Sequence, residues 1–482
     1  MTAPSLAPDR YLPADGRAHR LAVDLYEAVA SLPLVCPHGH IDVALLADPA
    51  ARLDPPGRLF VAGDHYVHRL LFAHGLPPER LGLRPRDGGR FEADDRALWK
   101  ILCENLHLFA GTPVRLWFVE TLAAFEITHP VNAETADRIY DELEERLASP
   151  EFRPRALLDR FRIETLATTD PASSTLNSHH RLQEQGLAGR VRPTFRPDGV
   201  VDVAAPRWRH ELRALERASG IAIDAYDRYI AALSERRSAF SACGATATDH
   251  ATTAVAAAPL DEAEAAAIFA RALTGEATQP EARAFEAHML MEFARMSEAD
   301  GLVMQLHLGS LRDHDRPFAN HFGSDVGADI PIAVDWTRGL RPLLEAHGER
   351  PGFRLILFTL DESTYSRELA PLASHYPALL LGPPWWFNDS PRGIVRFLDH
   401  VTETAGIFKL AGFNDDARAL PMIPVRHDLW RRRVCGWLAE SVAGGLLDAT
   451  EAPRLARALA YELARSAYRL DGENPSGSWV GR

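Results

Sequence analysis

Short apolar runs alternate with longer helical patterns along this chain, and that alternation restricts its fold more than any other feature. The runs occupy residues 32–38, 163–168, 191–195, 245–249, 302–307, 353–359, 378–382 and 407–413. Several are almost continuously hydrophobic, as strands buried on both faces of a parallel sheet must be. The stretches between them carry helix punctuation. Thr278-Gln279-Pro280 reads as an N-cap with an early proline, leading into a helix over 281–299 that stops at Asp300-Gly301. A second helix, 260–274, stops at Gly275, and 448–469 is a long C-terminal helical pattern. Eight strand candidates separated by helices predict an α/β fold of the (β/α)8 TIM-like barrel type, with a doubly wound open sheet as the alternative.

One connection breaks the rhythm. The interval 43–160 is far too long for a structureless loop. It contains helical patterns at 94–109 and 133–147 and reads as a mostly helical inserted subdomain. The chain therefore divides into 1–42 (an N-terminal segment and strand one), 43–160 (the insertion) and 161–482, with a smaller helical insertion near 207–241 and a C-terminal helix.

Charge and cysteine usage bound the function. With 53 Lys and Arg against 66 Asp and Glu, the net charge of −13 excludes sequence-independent nucleic-acid binding and adhesion to anionic membranes. No leader-like N-terminus and no membrane-length apolar stretch is present, so no membrane partner is expected. Four scattered cysteines with no CxxC pair suit a reduced cytoplasmic compartment, and they leave His and carboxylates as the ligands for any metal.

The sharpest local signal is Pro37-His38-Gly39-His40 at the end of the first strand. Residues i and i+2 of an extended chain point the same way, so His38 and His40 can aim two imidazoles at one ion. Strand C-terminal ends form the active-site face of a barrel. Further candidate ligands stand at other strand ends: His250 after the fourth, His307 in the fifth, and Asp415-Asp416 after the eighth. Several arginines follow strands too, namely Arg196, Arg312, Arg418 and Arg426, as an anionic, hydroxyl-rich substrate would require. Asp64-His65-Tyr66 in the insertion offers a general acid or proton shuttle, although spacing alone does not bring it to the barrel. Trp385-Trp386-Phe387 after the seventh strand can wall a sugar site or simply pack a core.

Taken together, these segments resemble the uronate isomerases, a family of the amidohydrolase superfamily. The resemblance rests on Asp64-His65-Tyr66, Gly111-Thr112-Pro113-Val114-Arg115-Leu116-Trp117, Leu166-Ala167-Thr168-Thr169-Asp170, Phe195-Arg196-Pro197-Asp198 and Thr248-Asp249-His250. It continues through Gln305-Leu306-His307-Leu308-Gly309, Trp385-Trp386-Phe387-Asn388-Asp389 and Arg426-His427-Asp428. It implies a barrel with a helical insertion after the first strand. It also implies interconversion of D-glucuronate with D-fructuronate and of D-galacturonate with D-tagaturonate. By resemblance His38, His40 and Asp416 hold one divalent metal, zinc being favoured, with manganese or iron also suiting the donors. Asp416, Tyr66, Arg418 and His65 are implied as catalytic residues, and Arg196, His307, Arg312, Trp386 and Arg426 as substrate contacts. The implied partner is a small uronate, and the chain is compatible with homo-oligomer formation.

The chain departs from the family pattern twice. The family usually reads Tyr-His-Cys-His where this chain has Pro37-His38-Gly39-His40, and Thr-Asp-Ser-Arg where it has Asp415-Asp416-Ala417-Arg418. Two adjacent aspartates leave open which approaches the metal; the Asp-x-Arg spacing favours Asp416. A metal-dependent hydrolase is the alternative function, because the same donors would suit a metal-activated water.

Overall fold

In the computed structural model, which describes residues 6–14, 16–252 and 255–471, seven strands form one parallel sheet in sequential order. They are β1 (Leu34–Cys36), β2 (Ile163–Pro171), β3 (Val191–Arg196), β4 (Ala247–His250), β5 (Val303–Leu308), β6 (Leu355–Thr359) and β7 (Leu379–Leu381). The helix Asn177–Glu184 follows β2, Tyr226–Ala242 precedes β4, Gln279–Asp300 precedes β5 and Pro391–Ala405 follows β7, as parallel crossovers require. The sheet is that of a (β/α)8 barrel.

The eighth place is filled less regularly than the apolar run 407–413 suggests. Ile407–Lys409 is a 3-10 turn, and the extended chain beyond it makes one ladder bridge, Leu410 to Leu381. Gly412 explains the irregularity. Its φ is +79°, and a Cβ there would lie 2.4 Å from the backbone nitrogen of Ala464, so only glycine fits and the strand geometry is lost. The segment still reaches β1, because the His40 N–H donates to the Ala417 carbonyl at 2.9 Å.

Capping chemistry sets the main helix boundaries. Thr278 and Glu281 form a reciprocal capping box at the start of Gln279–Asp300, which ends at Gly301 in the left-handed region. The C-terminal pattern is one continuous helical run in which Ala452–Arg457 passes through a wider π-type stretch, Ala458–Glu462, into Leu463–Ala467.

Between β1 and β2 the chain builds His65–Ala73, Asp95–Asn105, Pro113–Ala124 and Ala136–Ala148, among shorter turns. Their apolar residues, such as Leu71, Trp99, Phe118 and Leu143, share one buried cluster with Leu34, Ile163 and Leu166 of β1 and β2. The helices therefore pack onto the barrel's first strands.

One acidic group under tension lies in this scaffold. Glu286 is pushed up to about 7 by partial burial and by Asp202 and Asp198 nearby. A folded-state value above the unfolded one favours the protonated form, so the fold loses stability as pH rises from the ordinary glutamate range towards 7. Glu286→Gln is therefore expected to raise thermal stability at pH 8, by about 1–2 kcal/mol after discounting for screening at a partly open site, and to leave it unchanged at pH 4. Melting curves at the two pH values check this.

Candidate active site and metal centre

Three segments bring the central donors together. The loop after β1 is held on both sides: the Thr169 hydroxyl donates to the Gly39 carbonyl at 2.9 Å, and His40 is tied to Ala417 as described. This presents His38 and His40 with their rings 5.2 Å apart and nearly perpendicular. A Cβ at Gly39 would stand 3.4 Å from its nearest neighbour, an ordinary contact, so the missing side chain at this position does not shape the loop.

Asp416 approaches from the eighth segment. Its φ of +45° is unusual for a non-glycine residue and turns it away from its neighbour. Asn414 and Asp415 hold the turn by accepting the Asp416 and Ala417 N–H groups at 2.9 and 3.1 Å. The other Asp415 oxygen lies 3.1 Å from His427 Nε2, whose ring also neighbours Cys36. Asp415 thus faces the helix Ile423–Ala443, while Asp416 Oδ1 stands 3.1 Å from His40 Nε2 and 3.6 Å from His38 Nε2.

Electrostatics suit these three to a cation. Burial alone would raise the Asp416 carboxyl, but His40, His38 and Arg426 overcome it and hold the group well below the usual carboxylate range. Burial pushes His38 down to about 3, so its imidazole is neutral at physiological pH and ready to ligate. Asp416 Oδ1 and His38 Nδ1 are buried without hydrogen-bond partners among the described residues. The ligand atoms of His38, His40 and Asp416 all lie within 4.8 Å of one another. Two imidazoles, one carboxylate and the orphaned buried atoms fit one divalent ion.

The insertion supplies the facing wall. Asp64 caps the helix His65–Ala73 by accepting from the Tyr66 N–H at 2.8 Å, which fixes where His65 and Tyr66 point. Both line one cleft with Asp416, Arg418, Arg426 and Trp386. The His65 and Tyr66 rings stack at 4.4 Å, and Trp386 meets them edge-on. Burial, helped by Arg418, pushes His65 down to about 4; both its ring nitrogens are buried without partners among the described residues. Arg426 is buried, donates to Asp389 at 2.6 Å and lies over the Trp117 ring at 4.6 Å. Arg418 donates to Asp325 at 2.6 Å.

Arg196 and His307 lie on the other side of His38. The His307 ring stacks on His38 at 4.4 Å, and its Nδ1 is 2.6 Å from Asp249 Oδ1. Arg196 bridges Asp198 at 2.6 Å and Asp249 at 3.4 Å. Arg312 donates to Asp329 at 2.6 Å and lies over Trp386 at 5.0 Å.

His250 is not part of this group. Its ring packs on Phe293 and meets the Thr248 hydroxyl at 2.9 Å, facing the helices outside the sheet. Asp249 points inward instead. The signal was alternation: the β4–β5 register pairs Asp249 with Gln305, which shares a face with His307.

Comparison with known proteins decides what such a centre belongs to. The family model for glucuronate isomerase matches residues 16–468. The uronate isomerase of Nostoc punctiforme is 50% identical over 469 residues, covering 97% of this chain and 99% of its own. The chain belongs to the uronate isomerase family. The uronate isomerase of Rhizorhabdus wittichii is 49% identical over 466 residues, with 96% of this chain and 98% of its own covered. Among solved structures, glucuronate isomerase from Caulobacter crescentus superposes with a TM-score of 0.94 at 41% identity, covering 99% of both chains. Uronate isomerase from Thermotoga maritima reaches 0.88 at 29% identity, covering 96% of this chain and 99% of its own. The hydrolase alternative is the coarser, superfamily-level description of the same donor set.

Proposed function

We propose that this enzyme interconverts D-glucuronate with D-fructuronate, and D-galacturonate with D-tagaturonate, by proton transfer between C2 and C1 through a cis-enediol. The observation that carries the reading is the placement of an ionised Asp416 in one cleft with Tyr66 and Arg418. Aldose–ketose isomerisation needs a base at C2, a donor at the C1 oxygen and an anchor for the rest of the sugar.

His38, His40 and Asp416 would hold one divalent ion, with zinc favoured by the His and carboxylate donors. When bound, that ion supplies a fixed positive charge for the sugar's carboxylate and the adjacent hydroxyl. Asp416 is the base, directly or through the C5 hydroxyl, and takes the C2 proton. Tyr66 donates to the C1 oxygen as it gains electron density; burial holds this phenol far above its ordinary range, so it stays protonated. Arg418 hydrogen-bonds the C2 and C3 oxygens and stabilises the enediol. Collapse of the enediol then carries the O2 proton away and delivers a proton to C1, giving the ketose. His65, neutral and with no hydrogen-bond partner among the described residues, relays the proton between the two oxygens. Arg426 and Trp386 form the cleft wall, while Arg196, Arg312 and His307 hold its surroundings.

The same reading treats 43–160 as a subdomain whose task is to deliver His65 and Tyr66 to the barrel. No helix among the described residues is long and apolar enough to cross a membrane, and Cys36, Cys103, Cys243 and Cys435 are all unpaired. We assign the reaction to the reducing cytoplasm on that basis. Incubation of purified protein with each uronate in D2O, followed by NMR, tests the function. Ketose formation with deuterium entering C1 is the expected result; no ketose from either sugar overturns it.

A further inference from the structure

Between β5 and β6 the chain leaves the barrel and crosses to the helix that carries His65 and Tyr66. The excursion has almost no core of its own. Its ladder pairs only Ser310-Leu311 with Ile330-Pro331, and its helix Arg316–Phe322 buries none of its residues. Specific ties hold it down instead. Arg69 donates to the Asp329 carbonyl at 2.9 Å, the Arg86 N–H donates to the His321 carbonyl at 2.8 Å, and Phe318 packs on Phe72 at 4.8 Å. Gly327, with φ +97°, lies so close that a Cβ would stand 2.9 Å from the His65 carbonyl oxygen. A run of aspartates shapes the tip: Asp329 accepts from the Asp313 N–H at 2.9 Å, and Asp313 accepts from the Asp325 N–H at 3.1 Å. Both Asp313 and Asp325 sit in the left-handed region, at φ +51° and +63°.

All of this delivers one carboxylate to one place. Asp325 Oδ2 accepts from Arg418 Nη2 at 2.6 Å, across 93 residues of sequence. Asp325 Oδ1 lies 3.5 Å from Arg312 Nη1, and it is buried without a hydrogen-bond partner among the described residues. An ion pair between exposed side chains is ordinarily worth little, so stability does not account for a tip built this deliberately. A long arginine reaching into an open cleft does need a fixed orientation, because every rotamer it samples dilutes the one that meets the sugar.

We propose that Asp325 is a further positioning residue of this site: its carboxylate fixes the Arg418 guanidinium in the orientation that meets the sugar acid. The proposal rests on the isomerase reading above. The test is a double-mutant cycle on kcat/KM for D-glucuronate, using Asp325→Ala alone and in an Arg418→Ala background. Asp325→Ala alone lowers kcat/KM at least about tenfold, with the melting temperature within about 2 °C of the parent. In the Arg418→Ala background it costs less than about threefold, because the group it orients is gone. A purely structural role for the excursion would cost the same factor in both backgrounds, and that result overturns the proposal. So does an Asp325→Ala enzyme within twofold of the parent. If the alanine variant fails to fold, Asp325→Asn, which keeps the shape and removes the charge, is read by the same criteria. A parent enzyme that turns over neither uronate overturns the isomerase reading and this proposal with it; the other two results overturn this proposal alone.

Discussion

Asp416→Asn is expected to lower kcat by about a thousandfold, within the 10²–10⁴ range that a positioned general base supplies. The amide has the shape of the carboxylate and keeps an oxygen for a metal, but it cannot take a proton from C2. Loss of exchange between the C2 proton and solvent, followed by NMR, is the specific readout. Metal content measured on the same sample should stay near the parent value. Normal exchange in this variant would remove Asp416 from the base role. Its neighbour is the control. Asp415 is turned towards His427 and the Ala417 N–H, so Asp415→Asn disturbs the turn without removing the base, and exchange is slowed but measurable.

Removing the metal should have an effect of similar size. Prolonged dialysis against a chelator is expected to abolish turnover, and added zinc to restore it. His40→Ala should bind less than about a tenth of the parent's metal, because one of three protein ligands is lost. Elemental analysis of the purified proteins checks this. The pH dependence of retention follows from His38. Its ordinary value is lowered to about 3, so protons do not compete for this ligand until far below neutrality. Full activity in chelator-treated enzyme with no detectable metal would exclude the ion from the reaction.

Much of this architecture was legible in the chain. Seven of the eight apolar runs are strands, in chain order and parallel, because buried strands need continuous hydrophobicity and parallel neighbours need long crossovers. The helix boundaries at Thr278 and Gly301 were equally readable, since capping is local chemistry. The eighth run forms a 3-10 turn and one bridge where its apolar pattern predicts a full strand. Its glycine is dictated by the approach of Ala464, a contact that no local pattern announces.

The site divides along the same line. His38 and His40 share an aim because two residues of extended chain repeat direction, which is a property of the sequence itself. The choice of Asp249 over His250 was not readable in β4 alone, since a four-residue strand offers either face until its register against β5 is set. Asp325 is not legible in the sequence for a related reason: its partner Arg418 is 93 residues away, and only the path of the excursion joins them. Periodicity restricted this chain to a parallel α/β fold, barrel or doubly wound sheet, and put histidine and aspartate side chains at its strand ends. Tertiary structure decided which aspartate turns inward and that an inserted helix brings His65 and Tyr66 to the same cleft. Those outcomes depend on contacts between distant segments, and their energies exist only once the chain has closed around them.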